Sequence, residues 1–103
     1  MNKRLDILKE MLLKEPEDAF LNYALALELA KNDDMQKAVS VLEAVLNKDE
    51  NYLAAYYQLG KFYEQLSEKE KALHFYKKGI EVAKKQKNFK TLGELNEALN
   101  QIE

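Results

Sequence analysis

A self-match at a fixed distance of 34 residues is the feature that most constrains how this chain can fold. Six residues recur in the same order, and no gap is needed to align them. The first set is Leu25, Ala26, Leu29, Ala38, Leu42 and Val45, and the second set is Leu59, Gly60, Tyr63, Ala72, Tyr76 and Gly79. A period of this size predicts stacked units, each of which needs a neighbour to bury its apolar face. The pattern therefore favours a role in partner binding over a role in catalysis.

The composition is that of one soluble, helix-rich domain. The 103 residues are 47% hydrophobic and 33% charged, with one proline and three glycines. A net charge of −2 argues against a dedicated nucleic-acid binder, which is usually strongly basic. No apolar run approaches the ~18 residues of a membrane span. Because Asp6, Lys9 and Glu10 interrupt any signal-peptide core, the sequence predicts a cytoplasmic protein.

The residue types needed for most active sites are scarce. The chain has no cysteine, which excludes disulfides and thiolate-held metals. His74 is the one histidine, and its helical position predicts a surface side chain, so the usual nucleophile–base pairs are missing. The three glycines lie far apart, so there is no phosphate-binding loop. The sequence therefore predicts no enzyme activity, no metal and no cofactor.

Charge is unevenly distributed along the chain. Residues 1–52 carry 7 basic and 11 acidic side chains, whereas residues 53–103 carry 9 basic and 7 acidic ones. One interpretation is a set of solvated helix faces. The alternative is attraction of an acidic partner or of a second copy in a head-to-tail contact, because complementary fields steer association.

Apolar spacing predicts six helices and no sheet. The expected helices cover residues 3–14, 19–31, 35–47, 53–66, 68–85 and 89–102. Asp18 is the expected N-cap of the second helix. Asp33 with Gln36, and Ser67 with Glu70, resemble capping boxes that open the third and fifth helices.

Small residues at repeated positions predict close helix packing. Ala26 is expected to face Ala38, and Gly60 is expected to face Ala72. Gly60 and Gly79 lie within predicted helices, where glycine costs about 1 kcal/mol relative to alanine. Their presence indicates that neighbouring helices approach closely at these points.

These residues resemble the tetratricopeptide repeat, a helix-turn-helix unit of the same length. The second unit carries the pattern well, and the first is degenerate, with Asn22 in an aromatic position and Glu50 in place of proline. The matching residues of the second unit are Tyr56, Leu59, Gly60, Tyr63, Ala72, Tyr76 and Gly79. The resemblance implies an all-α, right-handed α-α superhelix over the single domain 1–103. It divides the chain into an N-terminal capping helix (1–16), two repeats (19–52 and 53–86) and a C-terminal capping helix (87–103).

The resemblance also implies a function. In tetratricopeptide domains the first helices of successive repeats line a concave groove that binds a peptide or a helix of a partner protein. The positions that correspond to this groove are Phe20, Tyr23, Leu27, Lys31, Ala54, Tyr57, Lys61, Glu64, Gln65, Lys87, Lys90 and Glu94. Two tyrosines with neighbouring lysines would offer rings to apolar side chains and donors to carbonyls or carboxylates.

Two other functions are open from the sequence. The chain could be a structural subunit that self-associates through apolar residues of its terminal helices. Those residues are Leu5, Leu8 and Met11 at one end and Leu95, Leu99 and Ile102 at the other. The remaining class, an enzyme or a nucleic-acid binder, would use the lysine-rich region from Lys69 to Lys90 and would bind RNA in a salt-sensitive manner.

Overall fold

The computed structural model describes residues 2–103, which form six α-helices and no β-strand. The helices are α1 (Lys3–Lys14), α2 (Ala19–Lys31), α3 (Met35–Lys48), α4 (Leu53–Gln65), α5 (Lys69–Gln86) and α6 (Phe89–Ile102). Each boundary predicted from the apolar spacing lies within one residue of the observed one. The predicted all-α class is therefore confirmed. No helix within these residues has the length and apolar character to cross a bilayer.

The helices form two compact units, one ending at Glu50 and the other beginning at Asn51. In unit 1, α1 packs on α2 and α2 packs on α3; in unit 2, α4 packs on α5 and α5 packs on α6. Within each unit the connections are two to four residues long, so consecutive helices of a unit run antiparallel. The side chains fully removed from solvent are Ala26, Ala38 and Leu42 in unit 1, and Ala55, Leu59, Ala72, Tyr76, Ala83 and Leu95 in unit 2.

Two glycines of unit 2 permit the close packing that the sequence predicts. A Cβ on Gly60 would overlap the ring of Tyr76, and a Cβ on Gly79 would lie 2.8 Å from the Cβ of Tyr56. Since carbon atoms pack at about 3.5–4.0 Å, neither position has room for a side chain. The three atoms nearest to a Cβ on Gly60 all belong to Tyr76, which the sequence analysis did not name as its neighbour.

The turns that follow α2 and α4 correct the predicted capping boxes. Asp33 and Ser67, 34 residues apart, both have left-handed backbones, with φ of 61° and 60°. The next N–H bonds back to the end of the preceding helix, from Asp34 to Leu29 and from Glu68 to Tyr63, each at 2.9 Å. This is a Schellman arrangement, which ends a helix. The N-caps of α3 and α5 are Asp34 and Glu68, and neither makes a side-chain capping bond.

The prediction for Asp18 was correct. Its carboxylate accepts a hydrogen bond from the N–H of Leu21 at 2.8 Å and so caps α2. The amide oxygens of Asn2 and Asn88 cap α1 and α6 in the same way, at 3.0 and 3.1 Å. These bonds satisfy N–H groups that the first turn of a helix cannot satisfy itself.

Lys87, at the end of α5, also has a left-handed backbone conformation and allows this turn geometry to be tested. Lys87 has φ of 57°, and the N–H of Asn88 bonds to the carbonyl of Ala83 at 3.0 Å. A left-handed backbone strains any residue with a Cβ, by about 1–2 kcal/mol. Lys87→Gly is therefore expected to raise the free energy of unfolding by about 0.5–1 kcal/mol, measured by urea denaturation.

The matched control is Lys85→Gly, which places the same glycine inside α5. This change is expected to destabilise the protein by about 1 kcal/mol, because glycine in a helix interior costs backbone entropy. If Lys87→Gly were as destabilising as Lys85→Gly, the assigned turn geometry would be wrong.

Candidate functional site

The predicted groove residues of unit 1 lie along one stripe of α2. Phe20 is exposed, with 67% of its surface accessible, and Tyr23 and Leu27 are half-buried. Lys31 is exposed at the end of the stripe, and its Nζ lies 3.7 Å from the Oε1 of Glu28. The α2 stripe thus presents aromatic, aliphatic and basic side chains in that order along the helix.

In unit 2 a recess of about 220 Å³ lies between α4 and α6. Its lining residues are Tyr57 and Lys61 from α4, and Glu94, Glu97, Ala98 and Gln101 from α6. The structure thus brings together three of the predicted groove residues, Tyr57, Lys61 and Glu94. The exposed residues Ala54, Lys87 and Lys90 do not line this recess.

The recess combines an aromatic wall with charges of both signs. The Nζ of Lys61 lies 5.5 Å from the centroid of the Tyr57 ring, within the range of a cation–π contact. Glu94 and Glu97 face this pair from α6. With two carboxylates against one ammonium group, the lining carries an excess of negative charge.

The ring of Tyr57 is held in place from behind by the core of unit 2. It lies 6.3 Å, centroid to centroid, from the ring of Tyr76, at an angle of 50°. The Tyr76 hydroxyl donates a hydrogen bond to the Oε2 of Glu64. Burial, the hydrogen bond to Glu64 and the negative charge of that carboxylate raise the pKa of Tyr76 well above its usual value. Tyr76 therefore remains a protonated donor at neutral pH, and one oxygen of Glu64 is committed to the core.

A family model for the tetratricopeptide repeat matches residues 29–95, which is more than half of the chain. The chain belongs to the tetratricopeptide repeat family. The predicted repeat boundaries within this tetratricopeptide chain stay predictions.

Solved structures support the assignment. The chain is similar to a tetratricopeptide repeat domain protein from Salinibacter ruber, known from a solution NMR structure. The sequence identity is 41%, the match covers 85% of this chain and 89% of that one, and the TM-score is 0.82. A crystal structure from Salinibacter ruber gives 39% identity, coverage of 82% and 94%, and a TM-score of 0.78.

A more distant structure shares the fold alone. A protein from Bordetella parapertussis is 22% identical, with coverage of 99% and 89% and a TM-score of 0.86. A comparison with curated proteins gave no significant match. The tetratricopeptide fold is generally a non-catalytic fold that binds protein partners, which agrees with the class of function predicted here.

Three residues of the recess were missed by the sequence analysis. Glu97, Ala98 and Gln101 lie on the part of α6 that follows the predicted groove residue Glu94. Their spacing could have identified them, because residues 97, 98 and 101 share one face of a helix with the predicted Glu94. Polarity alone does not separate a solvated face from a face that lines a recess.

Across residues 2–103, no group of three or more His, Asp or Glu side chains is arranged to hold a metal ion. His74 is exposed on α5, as the sequence predicts, and its ring lies edge-on to Phe75 with the centroids 5.0 Å apart.

Proposed function

We propose that this tetratricopeptide chain is a protein-interaction module that binds a peptide or a helix of a partner protein. The recess between α4 and α6 is its anchoring point in unit 2. The α2 stripe of Phe20, Tyr23, Leu27 and Lys31 is the predicted contribution of unit 1. The observation that supports this function best is the presence of an aromatic ring, an ammonium group and two carboxylates around one small recess.

The size of the recess favours one side chain of a polypeptide. A volume of about 220 Å³ is below the range of about 300–1,000 Å³ typical of small-molecule sites. A polypeptide bound here would insert one residue and contact the rest of the surface along its length.

The charges of the recess indicate which residue that is. Glu94 and Glu97 favour a lysine or arginine, whose charged end can pair with a carboxylate while its aliphatic stem packs on the Tyr57 ring. Lys61 can bind a carbonyl or carboxylate of the same partner segment. The expected motif is therefore a basic residue next to an apolar one.

This function is tested by selecting binders from a random peptide library and measuring their affinity for designed variants. Selected peptides are expected to share a basic residue beside an apolar residue. Glu94→Gln/Glu97→Gln keeps the shape of the recess and removes its negative charge. It should weaken binding about tenfold or more, because losing one charge-assisted contact costs at least about 1.4 kcal/mol. Tyr57→Ala should weaken binding to a similar extent.

The matched control is Glu70→Gln/Glu81→Gln, which removes two exposed carboxylates of α5 outside the recess. It should leave the affinity within about twofold of the wild type. Equal loss of affinity in both double variants would point to a general effect of net charge. Selected peptides without a basic residue would contradict the proposed motif.

A further inference from the structure

A recess different from the one between α4 and α6 occurs on two equivalent helices, α1 and α3. On α1 a recess of about 450 Å³ is lined by Ile7, Glu10, Met11, Leu13 and Lys14. On α3 a smaller recess, of about 180 Å³, includes Val41, Ala44, Val45 and Lys48. These four residues stand 34 positions after Ile7, Glu10, Met11 and Lys14. Both recesses therefore occupy the same structural position of the repeat.

In unit 2 this position is filled by an aromatic ring. The corresponding residues of α5 include Phe75, Gly79 and Val82. Tyr56 of α4 is 4% exposed, and its Cβ would lie 2.8 Å from a Cβ on Gly79. In unit 1, Asn22 stands at the position of Tyr56 and lines the smaller recess. The recess is thus the slot in which the second helix of a repeat receives an aromatic residue from the first.

The slot on α1 lacks such a ring within the described residues. Lys3–Lys14 contains no fully buried side chain, and Ile7 and Met11 are 54% and 48% exposed. On α3 and α5 the corresponding helix face is covered by α2 and α4. An apolar face of this kind predicts an interaction surface.

The last helix carries the complementary feature, an aromatic ring that is not packed into such a recess. Phe89 stands 33 residues after Tyr56, at the corresponding position of α6, and is 71% exposed. Gly93 stands 33 residues after Gly60, and a Cβ on it would meet no described atom within 4 Å. α4 contacts α5 through the face that carries Tyr56 and Gly60. The equivalent face of α6, which carries Phe89 and Gly93, is therefore uncovered within the described residues.

We infer that the Phe89 ring of one copy packs on Ile7 and Met11 in the α1 recess of a second copy. α6 and α1 would then pair through the same faces as α4 and α5 within one chain, at a wider spacing because Met11 stands at the position of Gly79. The occupant of each surface is thus the opposite end of the same protein. Charge supports the pairing, since α1 carries four basic and two acidic side chains and α6 carries one basic and two acidic ones. The surfaces differ, so the contact is head-to-tail, and its repetition yields an open chain of copies.

Burial also defines which apolar residues take part. The sequence analysis offered Leu95, Leu99 and Ile102 as the contact residues of the last helix. Leu95 is fully buried against α5, near Gly79, so this expectation was wrong for Leu95. The contact assigned here uses Phe89 on α6, and Ile7 with Met11 on α1.

The pairing is tested by blocking one surface at a time. Phe89→Asp removes the inserting ring, and Met11→Asp places a carboxylate in the recess. The molar mass of each protein is measured by analytical ultracentrifugation from about 10 µM to about 1 mM, where small interfaces associate. The wild type is expected to grow beyond a dimer. Each variant alone should self-associate about a hundredfold more weakly, because its contact would bury an unpaired charge.

An equimolar mixture of the two variants gives the decisive result. Each variant retains one intact surface, so the mixture should form a 1:1 heterodimer and nothing larger. This recovery also shows that both variants are folded. A wild type that stays monomeric throughout, or a single variant that self-associates as strongly as the wild type, would overturn the proposal. Two control variants are Phe20→Asp, which alters another exposed ring, and Ala44→Asp, which alters the α3 recess. Both should assemble as the wild type does. Weaker assembly of either control would also overturn the proposal.

Cysteine trapping locates the contact. The wild-type chain has no cysteine, so Phe89→Cys in one protein and Met11→Cys in another introduce one thiol each. In unit 2 the equivalent positions are in direct contact, with 2.8 Å between the Cβ of Tyr56 and a Cβ placed on Gly79. At the wider spacing that Met11 requires, the two thiols would be close enough for a disulfide, whose Cβ atoms lie ~3.5–4.5 Å apart. Oxidation should give a covalent heterodimer with this pair. A heterodimer that forms equally well from Phe20→Cys and Met11→Cys would contradict the assigned geometry.

Discussion

Gly60→Ala is expected to lower the free energy of unfolding by about 3 kcal/mol, an overpacking cost at the upper end of its range. The added methyl group would overlap the ring of Tyr76, which is fully buried and tied to Glu64 through its hydroxyl. The ring therefore has little freedom to move aside. Urea denaturation followed by circular dichroism measures the loss.

The first repeat supplies the compensating substitution. Where unit 2 has Gly60 and Tyr76, unit 1 has Ala26 and Leu42, both fully buried. A larger residue on the first helix is thus matched by a smaller one on the second. The double variant Gly60→Ala/Tyr76→Leu should lose clearly less stability than the sum of the two single variants, a coupling expected only for residues in contact.

Gly93→Ala provides the matched control, because the same methyl group added there meets no described atom within 4 Å. This variant should be unchanged or more stable by up to about 1 kcal/mol, since alanine favours helix more than glycine does. Additive losses in the double variant, or equal stability of the two Gly→Ala variants, would show that Gly60 and Tyr76 do not constrain each other.

The second large effect is expected at a buried carboxylate in unit 1. The side chain of Glu28 is 6% exposed, and the Nε of Arg4 lies 3.0 Å from its Oε1. The Nδ2 of Asn2 donates a hydrogen bond to its Oε2 at 3.2 Å. Arg4→Ala would leave this carboxylate with Asn2 and the more distant Lys31. We expect a loss of about 2 kcal/mol, less than for a fully buried pair because the Arg4 side chain is itself 73% exposed.

Removing the carboxylate as well should remove the penalty. Phe62 stands 34 residues after Glu28 and is 5% exposed, so this position of the repeat accepts an apolar side chain. In a Glu28→Leu background, Arg4→Ala is expected to cost less than about 0.5 kcal/mol, because no buried charge loses its partner. Lys3→Ala, which alters an exposed lysine of the same helix, serves as the control.

Hydrogen exchange gives an independent measurement. Because Arg4 and Asn2 connect the start of α1 to α2, Arg4→Ala should accelerate exchange in α1 more than in α3. An Arg4→Ala penalty of equal size in the wild-type and Glu28→Leu backgrounds would contradict the assigned ion pair.

Local patterns predicted the secondary structure well. Apolar spacing located all six helices, and the repeated small residues indicated where helices approach. The prediction of capping boxes at Asp33 and Ser67 was wrong because, in these short turns, the residues that end one helix directly precede the N-cap of the next. Asp33 and Ser67 match the sequence pattern of a cap, but their backbones complete the preceding helix.

The candidate site was predicted in part. Tyr57, Lys61 and Glu94 followed from the resemblance to the family, because equivalent positions of a repeat face the same way. Glu97, Ala98 and Gln101 were missed because lining a recess depends on the helix opposite. The burial of Glu28 was missed for a similar reason, since its partners Arg4 and Asn2 lie on another helix.

The sequence by itself determined the six helices, the 34-residue period and membership of the tetratricopeptide family, because these depend on local spacing. Only the tertiary structure decided which equivalent residues are buried. Tyr56 and Phe89 hold corresponding positions in the repeat, yet one is 4% exposed and the other 71%. The physical reason is that burial depends on the helix packed opposite a residue: Tyr56 lies against α5, whereas the described chain leaves Phe89 uncovered.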